Sequence, residues 1–168
     1  MSVIDVPDDL GLINRHSSTV EVILIRHLDH GAAKVWALLT DPARLPEWLA
    51  PGEIEPRAGG RARLDFTDSG TIIDSEVTAY EPLTLLEYSW SGPGEPRRPV
   101  RWALDIEGPD ACRLTLTLTT PSDEDVGRGA AGWEAHLEML AAALEGVPIK
   151  FPFERFKAAR EAYRYLMA

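Results

Sequence analysis

The sequence predicts an α+β fold in which a curved antiparallel sheet wraps around one long C-terminal helix, and three observations carry that expectation. Between Gly132 and Glu145, Trp133, His136 or Leu137, Leu140 and Leu144 recur at helical spacing, while Glu134, Glu138 and Glu145 take the opposite side. That pattern describes an amphipathic helix with one buried stripe. Upstream, several segments alternate apolar and polar residues with a period of two, as half-buried strands do. They follow one another with only turn residues between them, so they should pair as an antiparallel meander with one solvated face. The apolar face needs a cover, and a helix roughly 20 Å long is enough to cross a small sheet.

Taken in order, residues 1–18 hold Pro7, Gly11 and several acids without periodicity, and read as a loose N-terminal lead-in. Thr19–Leu28 is rich in β-branched residues and predicts the first strand. After the Asp29-His30-Gly31 break, Ala32–Leu39 has helical spacing, with Val35, Trp36, Leu38 and Leu39 as its apolar face. Asp41 and Pro42 open a second short helix through Leu45, Asp serving as N-cap and Pro as the first helical residue.

The strands come next. Arg61–Thr67 turns Ala62, Leu64 and Phe66 inward, and Gly70–Ala79 turns Ile73, Ser75, Val77 and Ala79 inward, with Asp74 and Glu76 outside. Leu86, Tyr88 and Trp90 form the inner face of Leu85–Ser91. Val100, Trp102, Leu104 and Ile106 form that of the following strand, and Cys112, Leu114, Leu116 and Leu118 that of the last. Gly127, Gly129 and Gly132 read as a flexible approach to the long helix, and Gly146 as its stop. The domain proper therefore spans 19–146. Residues 147–168 form a helical extension with Phe156, Ala159, Tyr163 and Leu166 on one face and four basic residues, Arg155, Lys157, Arg160 and Arg164, along it. Such a tail docks either on its own body or on a second copy, as a homodimer would use it.

Composition narrows the function. The chain has 168 residues, 17 basic against 27 acidic, for a net charge of −10. That balance repels phosphate backbones and anionic lipid surfaces, so neither nucleic acid nor membrane is an expected partner. Cys112 is the single cysteine; with no disulfide framework and no N-terminal apolar segment, a cytoplasmic protein is the natural reading. His16, His27, His30 and His136 lack metal-ligand spacing, so neither a metal nor another cofactor is expected. No nucleophile elbow is present, and no catalytic residue is assigned. Gly127-x-Gly129-x-x-Gly132 lacks the preceding strand and acidic partner of a dinucleotide fingerprint.

Five motifs in order carry a family resemblance: Val35-Trp36 followed by Thr40-Asp41-Pro42, then Trp48, then Gly59-Gly60, then Glu81-Pro82 with Leu85, Tyr88 and Trp90, then Gly132-Trp133 with Leu137. Together they resemble the START-like (SRPBCC) superfamily, in the branch named for homology to the activator of the heat-shock protein 90 ATPase. The resemblance covers about residues 19–146 and departs at His30-Gly31, where family members often carry proline. It implies the helix-grip fold and a cavity between sheet and helix that holds a hydrophobic small molecule in related proteins. It fixes no reaction.

The candidate pocket wall joins the converging inner faces: Phe66, Val77, Tyr88, Trp90, Trp102, Leu116, Trp133, His136 and Leu140, with Trp48 and Leu49 at the mouth. Five of the wall residues, Phe66, Tyr88, Trp90, Trp102 and Trp133, are large aromatics, which suit either an apolar ligand or a solid core. His136 suits a hydrogen bond to a ligand or general-base work, and equally a structural bond to a neighbour. Two alternatives stand beside ligand binding: an enzyme of polyketide cyclase or dehydratase type using His136 with Tyr88, and a chaperone- or partner-interaction module using the acidic surface and the tail.

Overall fold

The computed structural model describes residues 10–66, 69–92 and 94–167. The first nine residues of the lead-in, Thr67 at the end of a predicted strand, Pro93 of the following loop and the final Ala168 lie outside them.

Eight strands form one sheet: β1 (Leu12–Arg15), β2 (Thr19–Leu28), β3 (Gly52–Ile54), β4 (Arg61–Phe66), β5 (Thr71–Glu81), β6 (Leu85–Tyr88), β7 (Val100–Gly108) and β8 (Ala111–Pro121). Their spatial order is β1-β2-β8-β7-β6-β5-β4-β3, antiparallel throughout. The meander from β3 to β8 is thus continued by β2, which pairs with β8 over its full length. Alternation fixes the inner face in transverse rows. Leu24, Leu116, Trp102 and Leu86 lie in register across β2, β8, β7 and β6, and Val22, Leu118, Val100, Tyr88 and Val77 form the next row out to β5. All are buried.

Three helices cover this face or flank it. α1 (Ala32–Thr40) buries Val35, Trp36, Leu38 and Leu39. The predicted second helix is instead a turn with a single 3-10 segment at Leu45–Glu47. Asp41 does cap, its Oδ1 accepting from the Ala43 amide at 2.9 Å, but Leu45 and Trp48 are drawn into the core before an α-turn can repeat. Trp48 Nε1 donates to the Leu38 carbonyl at 2.6 Å, which pins the segment to α1.

The long helix α2 runs Val126–Leu144, roughly 28 Å. It begins six residues earlier than the hydrophobic stripe suggests: Asp125 caps it by accepting from the Arg128 amide at 3.0 Å, and the three glycines read as an approach are helical. Gly146, at φ +77°, sits just past its end, in the left-handed region that favours glycine. Lys34 of α1 donates to the Leu144 carbonyl at 2.6 Å, placing a cation where the helix dipole is negative.

The C-terminal extension forms α3 (Phe153–Leu166), which packs on α2 of its own chain and buries Ala159, Ala162 and Tyr163; Leu166, expected on its buried face, is exposed. Gly127 makes this close packing possible, since a Cβ there would stand 3.2 Å from Tyr163 Cβ. Tyr163 in turn reaches the other terminus, where its hydroxyl accepts from the Gly11 amide at 2.8 Å. Part of the predicted loose lead-in is therefore the edge strand β1, zipped to β2 from Leu12↔Ile23 to Arg15↔Val20.

Three more expectations change. The sequence placed Glu134 on the solvated side of α2, yet it is buried, with Oε1 2.7 Å from Arg26 Nη2 of β2 and Oε2 3.0 Å from Arg155 Nη2 of α3. A register shift between Val77 and Ala79 hands the inward position from Ala79 to Tyr80, whose ring lies 5.8 Å from Trp36. Ile106, read as inward, is exposed next to the register shift at the end of β7.

Candidate functional site

An open cleft of about 500 Å³ lies between the first half of α2 and the adjoining ends of β4 and β5. Its aromatic wall is Phe66, Trp90, Trp133, His136 and Phe156, with Leu49 and Ile73 beside them; Ser69, Thr71, Asp125 and Arg128 also line it. Its volume falls within the roughly 300–1,000 Å³ of small-molecule sites. The rings brace one another. Trp90 stands 5.0 Å from Trp133 and 5.9 Å from Phe66, and Trp133 backs onto Trp102 at 5.5 Å.

The helical side of the cleft is shaped by what is missing from it. Gly129 and Gly132 both line it, and a Cβ built at either would meet nothing within 4 Å among the described residues. Ordinary side chains here would project into the cleft. Opposite them, Trp90 adopts φ +55°. A non-glycine residue in that region costs about 1–3 kcal/mol and persists only where its surroundings hold it; stacking on Tyr88 at 5.7 Å, with Phe66 and Trp133 on its other contacts, does so.

His136 supplies the polar contact. Its Nδ1 lies 3.1 Å from the Trp48 carbonyl, which can only accept, so Nδ1 carries the proton and Nε2 the lone pair. Burial lowers its pKa, opposed by that backbone bond, and the ring is neutral at pH 7. Nε2 has no partner among the described residues, and no partnerless side-chain nitrogen or oxygen is buried there, so Nε2 is reached from outside. Phe66, Trp133 and Phe151 surround the ring at 6.1, 5.9 and 5.5 Å. The site offers a hydrogen-bond acceptor, or a base, in an aromatic frame.

Of the eleven residues expected to form the pocket and its mouth, the structure brings Phe66, Trp90, Trp133, His136 and Leu49 to the cleft. Val77, Tyr88, Trp102, Leu116, Leu140 and Trp48 are packed behind it and fully buried. Trp102 Nε1 donates to the Tyr88 hydroxyl at 2.9 Å, so the polar atoms of that layer satisfy each other. Burial raises the Tyr88 pKa, far from any range useful for acid–base work at neutral pH. Tyr88 and His136 are therefore not presented to one space. Cys112 is likewise buried in the core, where desolvation, with a smaller contribution from Glu107, raises its pKa.

Sequence reasoning missed Gly129, Gly132, Arg128 and Phe156 as lining residues. The available signal was Asp125, an N-cap that would have started the helix early and turned the glycines toward the sheet. A larger recess of about 590 Å³ lies on the strand β4–β5 side against Ser89, Ser91, Gly92 and Gly94, but both of its arginines already pair, Arg61 with Asp74 and Arg97 with Glu76. Among the described residues no cluster of metal-ligating side chains is present, and no helix is long and apolar enough to cross a membrane.

Comparison with known proteins converges on one family. The profile described as Activator of Hsp90 ATPase homolog 1-like protein matches residues 29–145. CalU16 from Micromonospora echinospora superposes with TM-score 0.77 at 25% identity, covering 93% of this chain and 96% of that one. The protein encoded by gene BPP1335 from Bordetella parapertussis gives TM-score 0.72 at 27% identity, covering 98% and 94%. DynU16, a protein of the dynemicin biosynthetic locus, gives TM-score 0.68 at 31% identity; the match covers 84% of this chain but 49% of DynU16. No curated protein matches the chain. The eight-stranded antiparallel sheet under a long helix, the ordered motifs and the family match over most of the domain agree: the chain belongs to the Activator of Hsp90 ATPase homolog 1-like family, with the START-like helix-grip fold.

Proposed function

We propose that this protein binds a hydrophobic small molecule in the cleft between α2 and the adjoining ends of β4 and β5, with Phe66, Trp90, Trp133 and Phe156 as apolar contacts and His136 Nε2 as the orienting acceptor. The observation that carries the reading is the notch in α2. A helix covering a core gains from side chains at every inward position, yet here two glycines face open space beside a braced aromatic wall. Affinity would come from apolar area removed from water, at about 25 cal/mol per Å², and a ligand hydroxyl or amide donating to Nε2 would fix its pose.

The test is native mass spectrometry of the purified protein followed by denaturing extraction. A co-purifying small molecule that disappears in Trp90→Ala supports the reading. A clean apo mass, together with no binding from a panel of apolar compounds, sinks it. A second reading, turnover of cyclase or dehydratase type, draws on the reachable unprotonated Nε2. It has to proceed without Tyr88, and unchanged turnover in His136→Ala would remove it.

A further inference from the structure

Among the described residues lining the cleft there is one arginine or lysine, Arg128, and none of them pairs with its side chain. Many other guanidinium groups face acids, Arg44 facing Glu47, Arg98 facing Glu124 at 2.6 Å, Arg101 facing Glu87 at 3.3 Å and Arg113 facing Asp105 at 3.1 Å, while Arg63 and Arg164, away from the cleft, have no ion pair among the described residues. Arg128, in the first turn of α2, has no side-chain hydrogen bond or ion pair among the described residues. Asp125, the carboxylate lining the same cleft, is committed elsewhere: its Oδ1 accepts the Arg128 amide, and its Oδ2 lies 4.0 Å from Arg160. A chain of net charge −10 repels anions at long range. A local guanidinium at an apolar cleft is therefore the feature that would let an anion settle there, and its fork-shaped donors match carboxylate and sulfonate oxygens.

We infer that the ligand class is amphipathic, an apolar ring system carrying one anionic group, with the rings against Trp90 and Trp133 and the anion on Arg128. This rests on the proposed use of the cleft and adds the charge requirement to it.

Two fluorescent probes separate the claims: anilinonaphthalene sulfonate, and phenylnaphthylamine, which is the same ring system without the sulfonate. Both should bind the wild-type protein, and both should be lost in Gly129→Leu, which adds a side chain at a cleft-lining position where a Cβ meets nothing within 4 Å. Arg128→Gln should weaken the sulfonate on the order of tenfold, the scale of one charge-assisted hydrogen bond, and leave phenylnaphthylamine within about twofold. Raising the salt concentration should weaken the sulfonate alone. Equal effects of Arg128→Gln on the two probes, or none on either, overturn the anionic requirement while leaving the cleft in place. If neither probe binds, or if both survive Gly129→Leu, the use of the cleft fails and this inference fails with it.

Discussion

Replacing the glycines of α2 one at a time should give opposite signs within a single helix. Glycine in a helix interior is about 0.8–1.0 kcal/mol less favourable than alanine, because its backbone loses more freedom on ordering and offers no side chain in return. At Gly129 and Gly132 a new Cβ meets nothing within 4 Å, so no contact opposes that gain. Gly129→Ala and Gly132→Ala should each stabilise the fold by about 1 kcal/mol, a rise of roughly 2–4 °C in Tm for a domain of this size. The double variant should gain about 2 kcal/mol, since each methyl faces open space. Gly127→Ala starts with the same backbone advantage but sets a methyl 3.2 Å from Tyr163 Cβ, where α3 must retreat by a few tenths of an ångström. It should end below both other variants and at or below wild type. Thermal melts by circular dichroism would measure all four, and ligand or probe titrations on the same samples should show the stabilised variants binding more weakly. A fall in Tm for Gly129→Ala or Gly132→Ala would refute the reasoning, because it would mean that those positions are packed and the notch does not exist.

Three further outcomes follow from the described contacts. His136 has a folded pKa below its ordinary value near 6.5, so the unfolded chain takes up this proton first as pH falls. Its contribution to stability is complete above about pH 6.5 and is lost progressively below it; His136→Asn, which keeps a donor for the Trp48 carbonyl, should flatten the pH 5–7 part of the urea-midpoint profile, and an unchanged slope would count against the assignment. Tyr88→Phe should cost about 1–3 kcal/mol by leaving the buried Trp102 N–H without its acceptor, yet leave probe affinity unchanged, whereas lost binding with full stability would put Tyr88 in the site. Glu134→Ala should cost about 3–5 kcal/mol in urea denaturation, because it removes the buried carboxylate that Arg26 of β2 and Arg155 of α3 share; a neutral result would show that this cluster does not hold α3.

Much of the fold is legible because alternation and helical periodicity are local. Thr19–Leu28 and the inner faces of β4, β6 and β8 follow directly from residue order. What was not legible depended on partners far along the chain. Glu134 looks like a surface acid until Arg26 and Arg155 are brought to it from β2 and α3. The short β3 strand is marked by Gly52, where a Cβ would stand 2.1 Å from the Arg63 carbonyl oxygen, a closeness that no pattern announces. Within the site, the aromatics were identifiable as a converging set, but parity cannot tell a ring that faces a cleft from one packed behind it. Trp90 and Trp102 both point inward; the first lines the cleft and the second is completely buried.

The pairing of β2 with β8 also sets the order in which the polypeptide can acquire structure. During synthesis β3 to β7 can form hairpin by hairpin as they emerge, since each meets its immediate neighbour. Strand β2 cannot, because Thr19 waits for Pro121 and Leu28 for Cys112. Until then Val20, Val22 and Leu24 have only the short edge strand β1 beside them and lack both β8 and the covering helix α2. Such long sequence separation slows closure and leaves apolar surface exposed to other nascent chains. The clasp between Tyr163 and Gly11 must come later still, so this tie on the start of the edge strand waits for α3 to be made.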